Sequence, residues 1–254
     1  MNRVADVIRD DIKVMTAYQV ADLPEGFIKL DAMECPHHPF VRYESLLSEW
    51  ADLARQAPIH LYPHTAKSGI YEELREVFGI LDKAEIALGN GSDELIQFLT
   101  MLVAKPNAQV LGIEPSFVMY RHNAALYGME YVGVPLNPDF SLNLPAVLSA
   151  IEQHQPSLIF IAYPNNPTGV CFKREEVEAV IRAATGIVVV DEAYGAFHHD
   201  SFLPWAGEVE NLVVMRTISK IGFAGLRMGY AAASPSIIGE LAKILPPYNM
   251  NQLS

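Results

Sequence analysis

Lys220 is the residue of this sequence whose type and setting are best suited to chemistry. It follows an apolar run, residues 212–217, that predicts a buried strand, and two glycines, Gly222 and Gly225, come shortly after it. A lysine held in such a place loses hydration, its pKa falls, and its neutral amine becomes a nucleophile. The alternative is a surface lysine in a glycine-rich loop, and exposed lysines are common.

Two further segments contain groups that could bind a phosphate. Residues 89–94 read Gly-Asn-Gly-Ser-Asp-Glu, and they lead into a predicted helix whose first N–H groups could hold an anion. The alternative is that Ser92 or Asp93 only caps that helix. Ser219 and Arg227, on either side of the lysine, could bind a phosphate through their side chains, or Arg227 could form an ordinary salt bridge.

A carboxylate and an amide follow two other predicted strands. Asp191 comes directly after the apolar run 187–190, where a buried carboxylate is costly unless it pairs with a cation, a metal or a protonated ring nitrogen. The alternative is a cap for the next helix. After the run 157–162, the loop 163–169 contains two prolines and a glycine, and its Asn166 could offer an amide to a ligand oxygen. The alternative there is an ordinary Asn-Pro turn.

Alternating strands and helices must position these residues. Apolar runs predict strands at residues 84–88, 110–113, 131–134, 157–162, 187–190, 212–217 and 228–233. Helical periodicity predicts helices at residues 43–57, 70–78, 95–103, 117–127, 144–151, 175–184 and 237–245. This alternation predicts an α/β domain with a mostly parallel sheet covered by helices on both faces. Ligands of such sheets bind at the carboxyl ends of the strands, so the candidate residues should meet at one edge.

A lysine amine, a buried carboxylate, an amide and a phosphate cradle at one sheet edge form a set that suits pyridoxal 5′-phosphate (PLP). This cofactor requires a lysine that forms a Schiff base, an acid at its pyridine nitrogen and an anchored phosphate. Each signal is weak by itself, and it is their combination that carries the prediction. The sequence therefore predicts PLP as the cofactor.

Three motifs in chain order resemble those of the fold-type I PLP enzymes: Tyr-Pro-Asn-Asn-Pro-Thr-Gly at 163–169, Asp-Glu-Ala-Tyr at 191–194 and Ser-Lys at 219–220. Within that group the chain most resembles the histidinol-phosphate aminotransferases, of the class II subfamily. The supporting similarity, which extends the resemblance over nearly the whole chain, lies at residues 28–34, 62–63, 89–94 and 224–230.

The resemblance implies a role for each matched residue. Lys220 would bind the cofactor and move the proton between it and the substrate carbon, and Asp191 would pair with the pyridine nitrogen. Phe117 would stack on the ring, at a place where the family often has tyrosine. The other implied cofactor contacts are Asn166 and Tyr194 at the phenolic oxygen, Gly91, Ser92 and Asp93 at the phosphate through backbone N–H groups, and Ser219 and Arg227 at the phosphate through side chains.

Three further residues bear on substrate binding and on contact with a partner subunit. Tyr62 resembles the tyrosine that reaches into the neighbouring subunit's site, which implies a homodimer. Tyr18 resembles a substrate-contacting tyrosine of the N-terminal segment. Cys35 stands in Glu-Cys-Pro, where the family commonly has Glu-Asn-Pro, and this departure puts the substrate preference in question.

The expected reaction is PLP-dependent transamination between histidinol phosphate and 2-oxoglutarate in L-histidine biosynthesis. The alternatives are an aromatic aminotransferase, a threonine-phosphate decarboxylase, or an inactive truncated fragment. Residues 1–45 are expected to form an N-terminal arm and small-domain segment, and residues 46–254 the large PLP-binding domain. Family members continue into a C-terminal small domain that supplies a substrate-binding arginine, so the chain is expected to be truncated.

The amino-acid composition argues against several classes of binding partner. The net charge of −12 argues against nucleic acid and anionic membranes, which attract basic surfaces. Cys35 and Cys171 form no Cys-x-x-Cys pair, so neither a zinc site nor a disulfide framework is expected. The N-terminus has no apolar core of the signal-peptide type. The expectation is a cytoplasmic protein that acts on small molecules without a metal.

Overall fold

The computed structural model describes residues 6–17, 24, 26–28, 32–37 and 44–254. The chain forms two compact units, residues 1–33 and residues 34–254. In the first unit, helix α1 (Asp10–Lys13) is stabilised by an ion pair of 2.7 Å between Lys13 Nζ and Asp10 Oδ1. Tyr18, expected to contact the substrate, lies outside the described residues. The expected domain boundary between residues 45 and 46 stays a prediction.

The second unit contains the predicted alternation of strands and helices. Its helices are α2 (Glu44–Gln56), α3 (Ile70–Phe78), α4 (Gly91–Val103), α5 (Val118–Leu126), α6 (Leu144–His154), α7 (Arg174–Ala183) and α8 (Pro235–Leu241). Its strands are β1 (Glu85–Asn90), β2 (Gln109–Glu114), β3 (Glu130–Pro135), β4 (Leu158–Ala162), β5 (Ile187–Asp191), β6 (Leu212–Thr217) and β7 (Met228–Ala233). No helix among the described residues combines the length and apolar character that a membrane crossing needs.

The strands form one mixed sheet in the order β1-β7-β6-β5-β4-β2-β3. The pairs β2–β3, β2–β4, β4–β5 and β5–β6 are parallel, whereas β7 is antiparallel to both of its neighbours, β1 and β6. Since β1 and β6 both run against β7, they run in the same direction. The carboxyl ends of β1 to β6 therefore share one edge, and β7 begins at that edge.

The two faces of the sheet pack against different helices. On one face, Ile159 and Val188 belong to a core that includes residues of α3, α6 and α7. On the other face, Phe160 and Val189 pack with residues of α4, α5 and α8. Successive residues of a strand point to opposite faces, and both faces are buried here, so the strands read as continuous apolar runs. This is why they can be recognised in the sequence.

Helix α4 begins at Gly91, four residues before its predicted start. A carboxylate oxygen of Glu94 accepts a hydrogen bond of 2.7 Å from the backbone N–H of Asn90. This bond satisfies a backbone donor at the helix start, as the acid of a capping box does. The first turn is polar, so apolar periodicity did not reveal it. Helix α8 starts at Pro235 and ends at Leu241, before the predicted residue 245, and turns continue to residue 244.

Candidate functional site

The residues predicted to be functional meet at the carboxyl edge of the sheet. Asp191 is the last residue of β5, and a short 3-10 turn that starts at Ser219 and contains Lys220 follows β6. Gly91 follows β1, and Arg227 precedes β7. Because β1, β7, β6 and β5 are consecutive neighbours in the sheet, these segments lie side by side although they are far apart in the chain.

Asp191 is buried, with 4% of its surface exposed, and both of its carboxylate oxygens are engaged. Oδ2 accepts a hydrogen bond of 2.7 Å from the hydroxyl of Tyr120, and Oδ1 accepts one of 2.9 Å from the backbone N–H of Ala193. Burial raises the pKa of Asp191 to about 6, and the two hydrogen bonds act in the opposite direction. A carboxylate in this setting is suited to bind a cation or a protonated ring nitrogen.

Tyr120 is a residue of this site that the sequence did not reveal. Its ring is buried and lies parallel to that of Phe160, with centroids 4.5 Å apart, and it meets Phe117 edge-on at 5.7 Å. An aromatic residue on a helix that faces the core is usually only a packing residue. The one signal in the sequence was its position three residues after Phe117, since residues three apart lie on the same face of a helix.

Lys220 is half-buried, and burial lowers the pKa of its amine. The carboxylates of Asp93 and Glu34 act in the opposite direction, toward the charged form. Its Nζ lies 5.4 Å from the ring centroid of Tyr194. Burial, followed by the charge of Asp191, raises the pKa of the Tyr194 hydroxyl, which therefore stays protonated and able to donate.

The loop between β1 and α4 is shaped as an anion site. Gly91 has a φ of 77°, in the left-handed region that favours glycine, and a Cβ there would lie 2.6 Å from Arg227 Nη2. Arg227 Nη2 donates to the carbonyl of Asn90 at 3.3 Å and lies 3.7 Å from Asp93 Oδ2. The start of α4 and a guanidinium group therefore converge at this loop, and both favour a bound anion.

Gly229 and Ser219 complete the surroundings of the loop. A Cβ on Gly229 would lie 2.7 Å from the backbone carbon of Gly91, so β7 approaches the loop as closely as a glycine permits. The Ser219 hydroxyl is buried and lies 2.8 Å from the hydroxyl of Thr217, and either oxygen can be the donor. The phosphate contact expected of Ser219 stays a prediction.

The two asparagines of the loop 163–169 differ in their surroundings. Asn165 is buried, and its amide donates to the carbonyl of Pro115 at 3.1 Å and to the Thr168 hydroxyl at 2.9 Å, while its oxygen accepts from Ser116. Asn166 is partly exposed, and its side chain makes no hydrogen bond within the part of the chain that the structure describes. Asn165 therefore fixes the loop and leaves the neighbouring amide available.

The two predicted aromatic contacts lie in different places. Phe117 is partly buried beside Tyr120, directly before α5 and directly after Pro115 and Ser116, which hydrogen-bond to Asn165. Tyr62 is 73% exposed and stacks on Tyr248 of its own chain, with ring centroids 4.7 Å apart. Its expected contact is with a second copy of the chain and stays a prediction.

The functional groups at this edge of the sheet fit the chemistry of PLP. A half-buried amine, a buried carboxylate and an anion loop beside a guanidinium match an aldehyde, a basic ring nitrogen and a phosphate. The glycine cradle at Gly91 leaves room that any side chain would fill. A mixed sheet of seven strands with this set of residues at one edge defines the large domain of the fold-type I PLP enzymes.

Comparison with known proteins gives the same class. Residues 25–254 match the family model described as aminotransferase class I and II. The chain belongs to the class I and II aminotransferases.

Within that family, its relatives are histidinol-phosphate aminotransferases, and the resemblance seen in the sequence is confirmed. The enzyme of that name from Neisseria meningitidis is 70% identical over 254 residues, all of this chain and 70% of that protein. The one from Chromobacterium violaceum is 52% identical over 252 residues, 99% of this chain and 69% of that protein.

Solved structures of the same name share the fold. The histidinol-phosphate aminotransferase of Sinorhizobium meliloti, solved with pyridoxal-5′-phosphate, has a TM-score of 0.73 and 27% identity, over 80% of this chain and 57% of that one. The one from Clostridium acetobutylicum has a TM-score of 0.74 and 24% identity, over 83% and 63%, and shows the fold alone. The chain thus spans about 70% of the curated relatives and less than two thirds of these solved chains.

Proposed function

We propose that this chain binds PLP through Lys220 and belongs to an enzyme that transfers an amino group between histidinol phosphate and 2-oxoglutarate in L-histidine biosynthesis. The observation that carries the proposal is the position of Lys220 and Asp191 at the ends of the neighbouring strands β6 and β5. The names of relatives 70% and 52% identical support the substrate. The proposed large domain is residues 46–254.

Different residues of this chain bind different parts of the cofactor, and one of them moves the proton. PLP, once bound to a lysine, supplies an electron sink for the substrate carbon. Asp191 supplies a buried negative charge for the ring nitrogen, and Arg227 with the start of α4 holds the phosphate. Because burial lowers the pKa of Lys220, a larger fraction of its amine is neutral and able to move a proton. Tyr194 and Asn166 offer donors to the phenolic oxygen.

A second copy of the chain is proposed as partner. Helix α2 exposes a row of apolar side chains, and the segment after it exposes more; the exposed fractions are 39% for Leu46, 46% for Leu47, 36% for Trp50, 67% for Leu53, 71% for Ile59 and 59% for Leu61. Contiguous exposed apolar side chains are typical of interfaces. Tyr62 follows directly and would then reach the site of the other copy. The cytoplasmic location and the absence of nucleic-acid partners stay predictions.

The cofactor can be tested directly by mixing the chain with PLP and recording the visible absorption band of lysine-bound cofactor. Wild type and Lys243→Ala should show the band, and Lys220→Ala should lose it. Lys243 is a suitable control because it is a surface lysine paired with Glu240 at 2.6 Å. Absence of the band in wild type, or its survival in Lys220→Ala, would contradict the proposal.

The substrate requires a second measurement on the same sample. Addition of histidinol phosphate should convert the spectrum to that of the aminated cofactor, and 2-oxoglutarate should restore it. Conversion by an aromatic amino acid and not by histidinol phosphate would reassign the reaction, as would carbon dioxide release from threonine phosphate. A band that responds to none of these would indicate a chain that binds the cofactor without catalysis.

A further inference from the structure

The contact between Tyr120 and Asp191 joins the first turn of helix α5 to the end of strand β5. The hydroxyl of Tyr120 donates to Asp191 Oδ2 at 2.7 Å, and the two side chains are 0% and 4% exposed. In such surroundings neither group can exchange its partner for water, and a hydrogen bond to a charged group is stronger than one between neutral groups.

The ring of Tyr120 is held in place independently of this bond. It lies between Phe160 of β4, parallel at 4.5 Å with an angle of 3°, and Phe117, edge-on at 5.7 Å. Offset stacked and edge-on rings are favourable arrangements, and a ring so enclosed has little rotational freedom. The direction of the hydroxyl is therefore set by packing, and the carboxylate is oriented by the hydroxyl.

The bond also selects the ionised form of the carboxyl. Burial disfavours that form, and the donors from Tyr120 and Ala193 favour it, one on each oxygen. Each carboxylate oxygen has a second lone pair, so a cationic ring nitrogen can still be bound. A phenol that is itself buried next to a negative charge stays protonated, because both raise its pKa.

We infer that Tyr120 is a positioning residue, which keeps Asp191 ionised and oriented toward the pyridine nitrogen of PLP. This inference rests on the proposed cofactor. Phe117 directly precedes α5 and Tyr120 lies in its first turn, so the start of this helix brings together the expected ring-stacking side chain and the residue that orients the ring's counter-ion.

The test compares the dissociation constants of PLP and of an analogue whose ring nitrogen is replaced by C–H, for wild type, Tyr120→Phe and Tyr230→Phe. Tyr120→Phe keeps the ring and removes the donor, so PLP should bind roughly 10- to 150-fold more weakly, the range of one hydrogen bond to a charged group. The analogue makes no use of Asp191, so its affinity should not change. Tyr230→Phe is the control, because Tyr230 is equally buried but its hydroxyl makes no hydrogen bond to Asp191.

A double-mutant comparison distinguishes a loss that acts through Asp191 from a general effect of Tyr120→Phe on folding. In an Asp191→Asn background, removal of the Tyr120 hydroxyl should leave PLP affinity unchanged, because the group that it orients is gone. Equal losses for PLP and the analogue, or an unchanged PLP affinity in Tyr120→Phe, would overturn the inference and leave the proposed function intact. If wild type bound no PLP, both would fail, and if it bound PLP but rejected histidinol phosphate, only the proposed substrate would fail.

Discussion

The side chain of Asn90 donates a hydrogen bond of 2.8 Å to the backbone carbonyl of Asn249, near the end of the described chain. The side chain of Asn249 bonds to the residues around Asn90. Its amide donates to the carbonyl of Leu88 at 2.9 Å and to Glu94 Oε2 at 3.3 Å. Asn249 therefore contacts both the strand before the anion loop and the first turn after it.

We predict that Asn249→Ala loosens the anion loop. Loss of two hydrogen bonds from a partly buried amide should reduce the free energy of unfolding by about 1–2 kcal/mol and weaken PLP binding several-fold. Urea unfolding of the cofactor-free chain and PLP titration would measure the two effects. Asn251→Ala is the control, because among the described residues the Asn251 side chain hydrogen-bonds only to Leu253 and Ser254. Identical behaviour of the two variants would contradict a role of Asn249 at the loop.

A second prediction concerns the close approach of β7 to the same loop. In Gly229→Ala the new methyl group would lie 2.7 Å from the backbone carbon of Gly91, so the loop must move and PLP affinity should fall at least tenfold. Gly225→Ala is the matched control, since a Cβ there meets no atom within 4 Å. PLP titration of both variants measures the difference in affinity. Tight binding by Gly229→Ala would show that the loop tolerates displacement.

The buried ion pair between Glu192 and Arg216 should matter for stability. Glu192 Oε2 accepts from Arg216 Nε at 2.8 Å and from Nη2 at 2.7 Å, and the Glu192 side chain is fully buried. Arg216→Met would leave an unpaired buried carboxylate and should cost about 3–5 kcal/mol of unfolding free energy.

The control for that prediction is a surface pair of the same type. Arg182 is 70% exposed and bonds Glu178 at 3.1 Å, so Arg182→Met should cost about 1 kcal/mol or less. Urea unfolding of both variants at neutral pH gives the comparison. Similar losses in the two would show that Glu192 finds other compensation, for example from the Ser201 hydroxyl and the Phe202 N–H that it also accepts.

The pKa of Asp191 predicts a pH dependence of stability in the cofactor-free chain. Burial raises this pKa from 3.8 to about 6, so the folded chain binds more protons than the unfolded chain between about pH 4 and pH 6. The contribution of Asp191 to the free energy of unfolding therefore falls as pH rises through that window. Asp191→Asn removes the titrating group, so its stability relative to wild type should rise by about 2–3 kcal/mol from pH 4 to pH 7.

Urea unfolding of wild type and Asp191→Asn at a series of pH values measures this difference directly. A difference that stays constant with pH, or that changes in the opposite direction, would mean that Asp191 is not held in a desolvated setting.

Much of the fold follows from local pattern. The seven strands and seven α-helices of the second unit were all predicted, with ends within four residues, because most strands have a mainly apolar centre and the helices show apolar periodicity. The direction of β7 did not follow from the pattern. A strand reads the same in either direction, and its antiparallel pairing with β1 and β6 depends on the path of the chain through space.

The sequence by itself determined which chemical groups stand at the strand ends: Lys220, Asp191 and the glycine loop at Gly91 are local signals, each at or shortly after the end of a strand. Only the tertiary structure decided which groups support them. Tyr120 reaches Asp191 across 71 positions, and Asn249 reaches Asn90 across 159, and a contact between residues so far apart leaves no local trace in composition or periodicity. Such contacts arise when separate elements pack against one sheet, so they become visible only once the sheet order is known.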